Sequence, residues 1–128
     1  LEIHGTADPC WNFAQGKGAC LQNDGGVKVG VAQTVAGWVE RNGCVDAVTT
    51  SAVKDADPND GTTTVRETHS GCVDDADVVL LKVTGGGHTW PGGFQYDGAG
   101  TIGKTARDFS ANDEIWSFFQ AHPRPTPQ

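Results

Sequence analysis

The chain reads as an α/β domain, and three observations predict it. The most apolar run, Asp77 to Thr84 (DVVLLKVT), is near-continuous, the pattern of a strand buried on both faces. That run enters GGGHTWPGG, Gly85 to Gly93, a glycine frame around a histidine. Two further stretches, Val27 to Arg41 and Ser110 to His122, place apolar residues at helical spacing. Glycines after a buried strand let the backbone turn sharply at an entropic cost. His88 is therefore expected on a tight loop at the carboxyl end of a strand, where open α/β sheets place their chemistry.

Composition narrows the function classes. The 128 residues suffice for one domain, and 16 acidic against 9 basic residues give a net charge of -7. Such a chain repels phosphate backbones, so no nucleic-acid partner is expected. No apolar run approaches the roughly 20 residues needed to span a bilayer, so no membrane partner is expected either. No signal peptide is visible, which suggests a mature chain or a fragment. The 4 cysteines lack paired C-x-x-C spacing, so disulfides and an oxidising, secreted or periplasmic setting are expected. Three connectivities are open. Cys10 with Cys20 and Cys44 with Cys72 are favoured because each pair brackets one loop-rich segment, contributing roughly 3 and 3.5 kcal/mol.

In chain order, Leu1 to Gly5 (LEIHG) reads as the end of a strand. Asp8 follows at once in HGTADP, where it can orient a histidine or simply bond its own turn. Cys10 to Gly26 shows no period and reads as a disulfide-held loop; Trp11 and Phe13 either line a site or pack beneath it. In the first helix, Val31, Val35, Trp38 and Val39 share one face, with Trp38 read as a core residue. Arg41 suits its C-terminal dipole, and Asn42-Gly43 supplies a left-handed stop. Cys44 to Pro58 is a short apolar stretch and a polar turn. Thr62 to His69 alternates and is β-branched, the signature of a strand near a sheet edge. Asp74, Asp75 and Asp77 form a solvated acidic turn without EF-hand spacing. Phe94 to Asp108 is irregular. Ser110 caps the last helix, with Asp113 three residues on and Ala111, Ile115, Phe118 and Phe119 on its apolar face. Pro123 ends it, and residues 123–128 form a proline-rich tail or linker.

The chemistry gathers on two residues. Asp8 and His88 each follow a candidate strand, in the order acid then histidine, as in the nucleophile–acid–histidine order of α/β-hydrolases. The histidine would act as general base and then acid; the aspartate would fix its tautomer and stabilise its cation. No G-x-S-x-G occurs, and Ser51, Ser70, Ser110 and Ser117 lack a strand–turn–helix setting. The chain alone therefore lacks a nucleophile. His4, His69, His88 and His122 are scattered without an H-x-x-x-H pair, so no metal site and no cofactor are expected.

These motifs carry a resemblance. HGTAD (to Asp8), WVERNGC (Trp38 to Cys44), Cys72, GGGHTWPGG and ANDEIWSFF (Ala111 to Phe119) are similar to the carboxyl-terminal half of the secreted polyhydroxybutyrate depolymerase and feruloyl-esterase family of α/β-hydrolases. The resemblance implies that residues 1–122 are the carboxyl-terminal part of one α/β-hydrolase domain, with flanking helices and disulfide-stabilised loops. It implies Asp8 and His88 as triad acid and histidine, a Cys44–Cys72 bridge, and Trp90 against substrate. The nucleophile serine would come from a partner, an amino-terminal half carrying G-x-S-x-G. The substrate class implied is hydroxyalkanoate polyesters or aromatic acid esters. CWNFAQGKGAC, with Trp11, stands where the family usually has a proline and a short glycine turn. The competing reading is a non-catalytic, disulfide-bonded module that binds polymer or carbohydrate, in which Asp8 and His88 lie far apart or no serine approaches His88. A lone half would also expose the apolar edges of its first strand and of DVVLLKVT, an argument for a companion.

Overall fold

A computed structural model describes residues 1–18 and 26–123. Its centre is the apolar run. Strand β6 (Val78–Thr84) lies inside a four-stranded sheet of order β1-β6-β5-β4, with β1 at Glu2–Gly5, β5 at Thr63–His69 and β4 at Thr49–Ala52. β1 runs parallel to β6, with Ile3 beside Leu81 and Gly5 beside Val83. β5 and β4 add on antiparallel, so the sheet is mixed.

The alternation of β6 explains the layers. Val78 and Leu80 point to helix α1 (Val31–Asn42) and form a cluster with Val31 and Val35, edged by Phe13, Val39 and Cys44. Val79, Leu81 and Val83 serve the other face and are almost fully buried. Arg66, in register with Leu81, reaches from that face to Glu114 of helix α3 (Ala111–Ala121) in a 2.8 Å ion pair. Five apolar side chains divided between two faces is what a strand covered on both sides requires.

Several expectations hold in detail. Gly43 stops α1 in the left-handed region at φ 63°, and the Ser110 hydroxyl accepts from the Asp113 N–H to cap α3. Others are corrected. Helix α1 begins at Val31, not Val27, because Val27–Lys28 is a strand (β3) paired antiparallel with Gly16–Lys17 (β2), and Gly30 is extended ahead of the helix. Residues 10–26 are thus not wholly loop. Trp38 is not a core residue: it is 51% exposed, with the Arg41 guanidinium 5.1 Å from its ring centre. Phe119, placed on the apolar face of α3, is also exposed. β5 does lie near a sheet edge, one strand in; the sequence reading lacks the edge strand itself, since Thr49–Ala52, within the short apolar stretch, pairs with it as β4. A short helix, α2 (Ala99–Ile102), interrupts the irregular segment after the histidine loop. The edges of β6 are both covered, while β1 and β4, the two outer strands of the sheet, each present an edge with no strand partner among the described residues.

Cys44 and Cys72 form a disulfide across the 28-residue excursion that contains β4 and β5. Cys10 is buried and disulfide-bonded, while Cys20 lies outside the described residues; so does the tail beyond Pro123. Replacing Cys44 and Cys72 together by alanine is expected to cost about 3.5 kcal/mol through the freed loop. That corresponds to a fall in Tm on the order of 10 °C, readable by calorimetry; an unchanged Tm would refute the assignment of stability to this bridge.

Candidate active site

Parallel pairing brings the ends of β1 and β6 out on the same side. The two loops that follow are stitched by backbone. Thr6 N–H donates to the Val83 carbonyl at 2.8 Å, Ala7 N–H to Gly86 at 2.9 Å, and Gly85 N–H to the Thr6 hydroxyl at 3.0 Å. Glycine is required here for space. A methyl group on Gly5 would overlap the Gly86 carbonyl, and one on Gly87 would overlap the backbone of Ile102 and Gly103. Gly85 adds a φ of 77°, in the left-handed region.

Asp8 is 6% exposed and has its carboxylate held from several sides. Oδ1 accepts the N–H groups of Cys10 at 2.7 Å and Trp11 at 2.8 Å. Oδ2 lies 2.9 Å from His88 Nδ1. A carboxylate only accepts, so the Nδ1 proton points at Asp8 and the neutral ring keeps its lone pair on Nε2. Nε2 has no protein partner among the described residues, and the His88 side chain is 46% exposed. The ring is therefore fixed at one nitrogen and presented at the other. That is the arrangement a general base needs.

His88 is also fixed through its backbone. Its N–H donates to the Ile102 carbonyl at 2.6 Å, and its carbonyl accepts the Tyr96 hydroxyl at 2.6 Å. Asp8, Trp11, His88, Trp90, Pro91 and Tyr96 line a cleft of about 410 Å³. Both tryptophans singled out in the sequence thus stand at the same cleft as the pair. Trp90 is half-exposed and donates from Nε1 to Asn112 Oδ1 at 3.1 Å. Trp11 donates from Nε1 to the Val29 carbonyl at 3.1 Å, with the Lys28 ammonium over its ring.

Two contributors escaped sequence reasoning. Tyr96 sits in a stretch without period, and a hydroxyl bonded to a backbone carbonyl leaves no spacing to detect. In the sequence His4 stands out only as a residue of the first strand and one of four scattered histidines. Its Nε2 lies 2.9 Å from the Trp11 carbonyl and 3.5 Å from Asp8 Oδ2, and its Nδ1 3.2 Å from Glu2 Oε1. Burial opposes its protonation, but the bonds to Glu2 and Trp11 and the charges of Asp8 and Glu2 prevail and raise His4 above the ordinary histidine range. The folded protein holds this proton more tightly than the unfolded chain. His4 therefore favours folding at low pH, and that contribution fades as pH rises through its raised value.

Asp8, Cys10 and His88 also bring three potential ligand atoms within 4.8 Å of one another. The Cys10 sulfur is in a disulfide and offers no thiolate, and Asp8 Oδ2 is committed to His88. The trio lacks the donors of a metal site.

The chain is 34% identical over 125 residues to a protein of Nocardia uniformis subsp. tsuyamanensis named "Putative esterase NocK". The alignment covers 92% of this chain and 36% of that protein, so the chain spans about a third of the relative's length. No protein-family model matches the chain. No solved structure matches it.

Proposed function

We propose that this chain is the acid-and-histidine part of a serine esterase with an α/β-hydrolase fold. The observation that carries this reading is the 2.9 Å bond between buried Asp8 and exposed His88 on neighbouring strand-end loops over a cleft. Similarity to a protein named as an esterase supports it. The non-catalytic module predicts that Asp8 and His88 lie far apart or that no serine approaches His88; the bonded pair removes the first of these marks. No serine hydroxyl bonds His88 among the described residues, so the nucleophile belongs to an amino-terminal part carrying G-x-S-x-G. The unpaired outer edge of β1 supports such a companion, since a bare strand edge invites another strand. In the reaction, His88 Nε2 takes the serine proton as the oxygen attacks the ester carbonyl. The same proton then passes to the departing alkoxide. Water repeats the cycle to release the acid and restore the serine.

The half-exposed indoles of Trp11 and Trp90 beside the cleft suit flat or apolar acyl groups, in keeping with feruloyl-type or hydroxyalkanoate esters. The Cys44–Cys72 disulfide supports a secreted or periplasmic setting.

Intact-mass analysis of the native protein after fluorophosphonate treatment tests the proposal. A labelled serine outside these 128 residues, with turnover of a p-nitrophenyl ester, is the expected result. A lone 13.4 kDa species without label or turnover would overturn it in favour of a binding module.

A further inference from the structure

We propose that His4 is a positioning residue for the Asp8–His88 pair, an imidazolium gripping the same carboxylate oxygen that His88 holds. As a role in ester hydrolysis this rests on the esterase reading; the coupling between the two rings does not. His4 is on β1 opposite Lys82 of β6, on the sheet face that carries Glu2. Its ring meets three oxygens: Glu2 Oε1 at Nδ1, and the Trp11 carbonyl and Asp8 Oδ2 at Nε2. All three only accept. A neutral imidazole has one N–H, so one lone pair would face an oxygen; the imidazolium donates at both nitrogens. The side chain is 11% exposed, and the Phe13 ring lies edge-on to it, so water does little to relieve that conflict.

The surrounding charges agree. Glu2 and Asp8 are the acids that touch His4. Lys82 of β6 is paired with Glu67 of β5 at 3.3 Å, and Glu40 of α1 borders the same groove. Lys28 of β3 lies over the Trp11 ring, and His88 lies beyond the shared oxygen. The raised proton affinity of His4 follows from this setting.

The consequence falls on Asp8. Oδ1 receives two backbone N–H groups and Oδ2 receives the His88 Nδ1–H, while the His4 ring, bonded at Nε2 to the Trp11 carbonyl, sets its charge 3.5 Å from Oδ2. The rotamer is locked. A proton arriving on His88 also meets a like charge through the shared oxygen, which disfavours the doubly charged state.

Histidine-labelled NMR of the whole native protein tests this without turnover. In the unsubstituted protein, ¹⁵N shifts should show protons on both His4 nitrogens at a pH of about 6.5. In His4→Gln, the titration midpoint of the His88 ring should move up by about half to one pH unit. The acid limb of kcat/KM should move with it, which a merely structural role would not produce. Glu2→Gln should shift His88 in the same direction by less. A neutral His4 in the unsubstituted protein, or an unmoved His88 midpoint in folded His4→Gln, overturns the proposal. Should His4→Gln not fold, the ¹⁵N pattern of the unsubstituted protein decides. Coupled rings in a protein that hydrolyses no ester would refute the esterase reading and leave the coupling standing.

Discussion

Asp8→Asn in the native protein is expected to lower kcat for ester hydrolysis by about 10³- to 10⁴-fold while the fold survives. The asparagine carbonyl can still accept from Cys10 and Trp11 N–H, which Oδ1 now serves. The amide NH₂ then faces His88. A donor there forces Nδ1 to accept, so the ring proton moves to Nε2, and the nitrogen aimed at the nucleophile loses its lone pair. The neutral amide also removes the carboxylate charge that lies 3.5 Å from His4 Nε2. Geometry is kept and the tautomer is wrong, which separates this variant from one that merely unfolds. Circular dichroism and Tm should change little beside the rate. His88→Ala should lose a comparable factor, and the double variant should be no worse than the poorer single one, because the two residues act as a unit. Near-normal turnover in folded Asp8→Asn would end the assignment of the pair to catalysis.

Much of that pair was legible in the sequence, and the reason is specific. An apolar run followed by glycines marks both a strand and its exit, so His88 and Asp8 could be placed at strand ends from composition alone. What no local pattern encodes is register. The parallel pairing of Gly5 with Val83 brings the two exits together, and it is set by side chains 78 positions apart in the chain. His4 was invisible for the same reason, since its partners are a loop carbonyl and a carboxylate folded back over it. Trp38 failed differently. Its spacing suits the buried face, but its ring stays outside the cluster that Val31, Val35 and the partly buried Val39 form, and lies beside the Arg41 guanidinium. Val27 did carry a missed signal: Val27, Lys28 and Val29 alternate ahead of Gly30, which is strand patterning rather than the first turn of a helix.

Gly5→Ala is expected to damage both stability and rate, because it strikes the point where the two strand exits meet. The added methyl meets the carbonyls of Gly86 and Gly87, which are backbone and cannot swing aside as a long side chain would. Either the end of β1 or the histidine loop must move. The Ala7-to-Gly86 bond at 2.9 Å and the Thr6-to-Val83 bond at 2.8 Å lie directly beside the overlap. Overpacking plus one or two lost hydrogen bonds puts the cost at about 2–4 kcal/mol. An ångström of separation between Asp8 and His88 is worth on the order of 10² in rate. Gly37→Ala is the matched control: it lies within α1, and a methyl there meets nothing within 4 Å. That change should stabilise the protein by about 0.5–1 kcal/mol through helix propensity and leave turnover alone. Denaturant titration and ester hydrolysis on the two variants give the comparison. A Gly5→Ala protein as stable and active as the Gly37→Ala control would mean that the two loops do not approach as closely as the stitching between them requires.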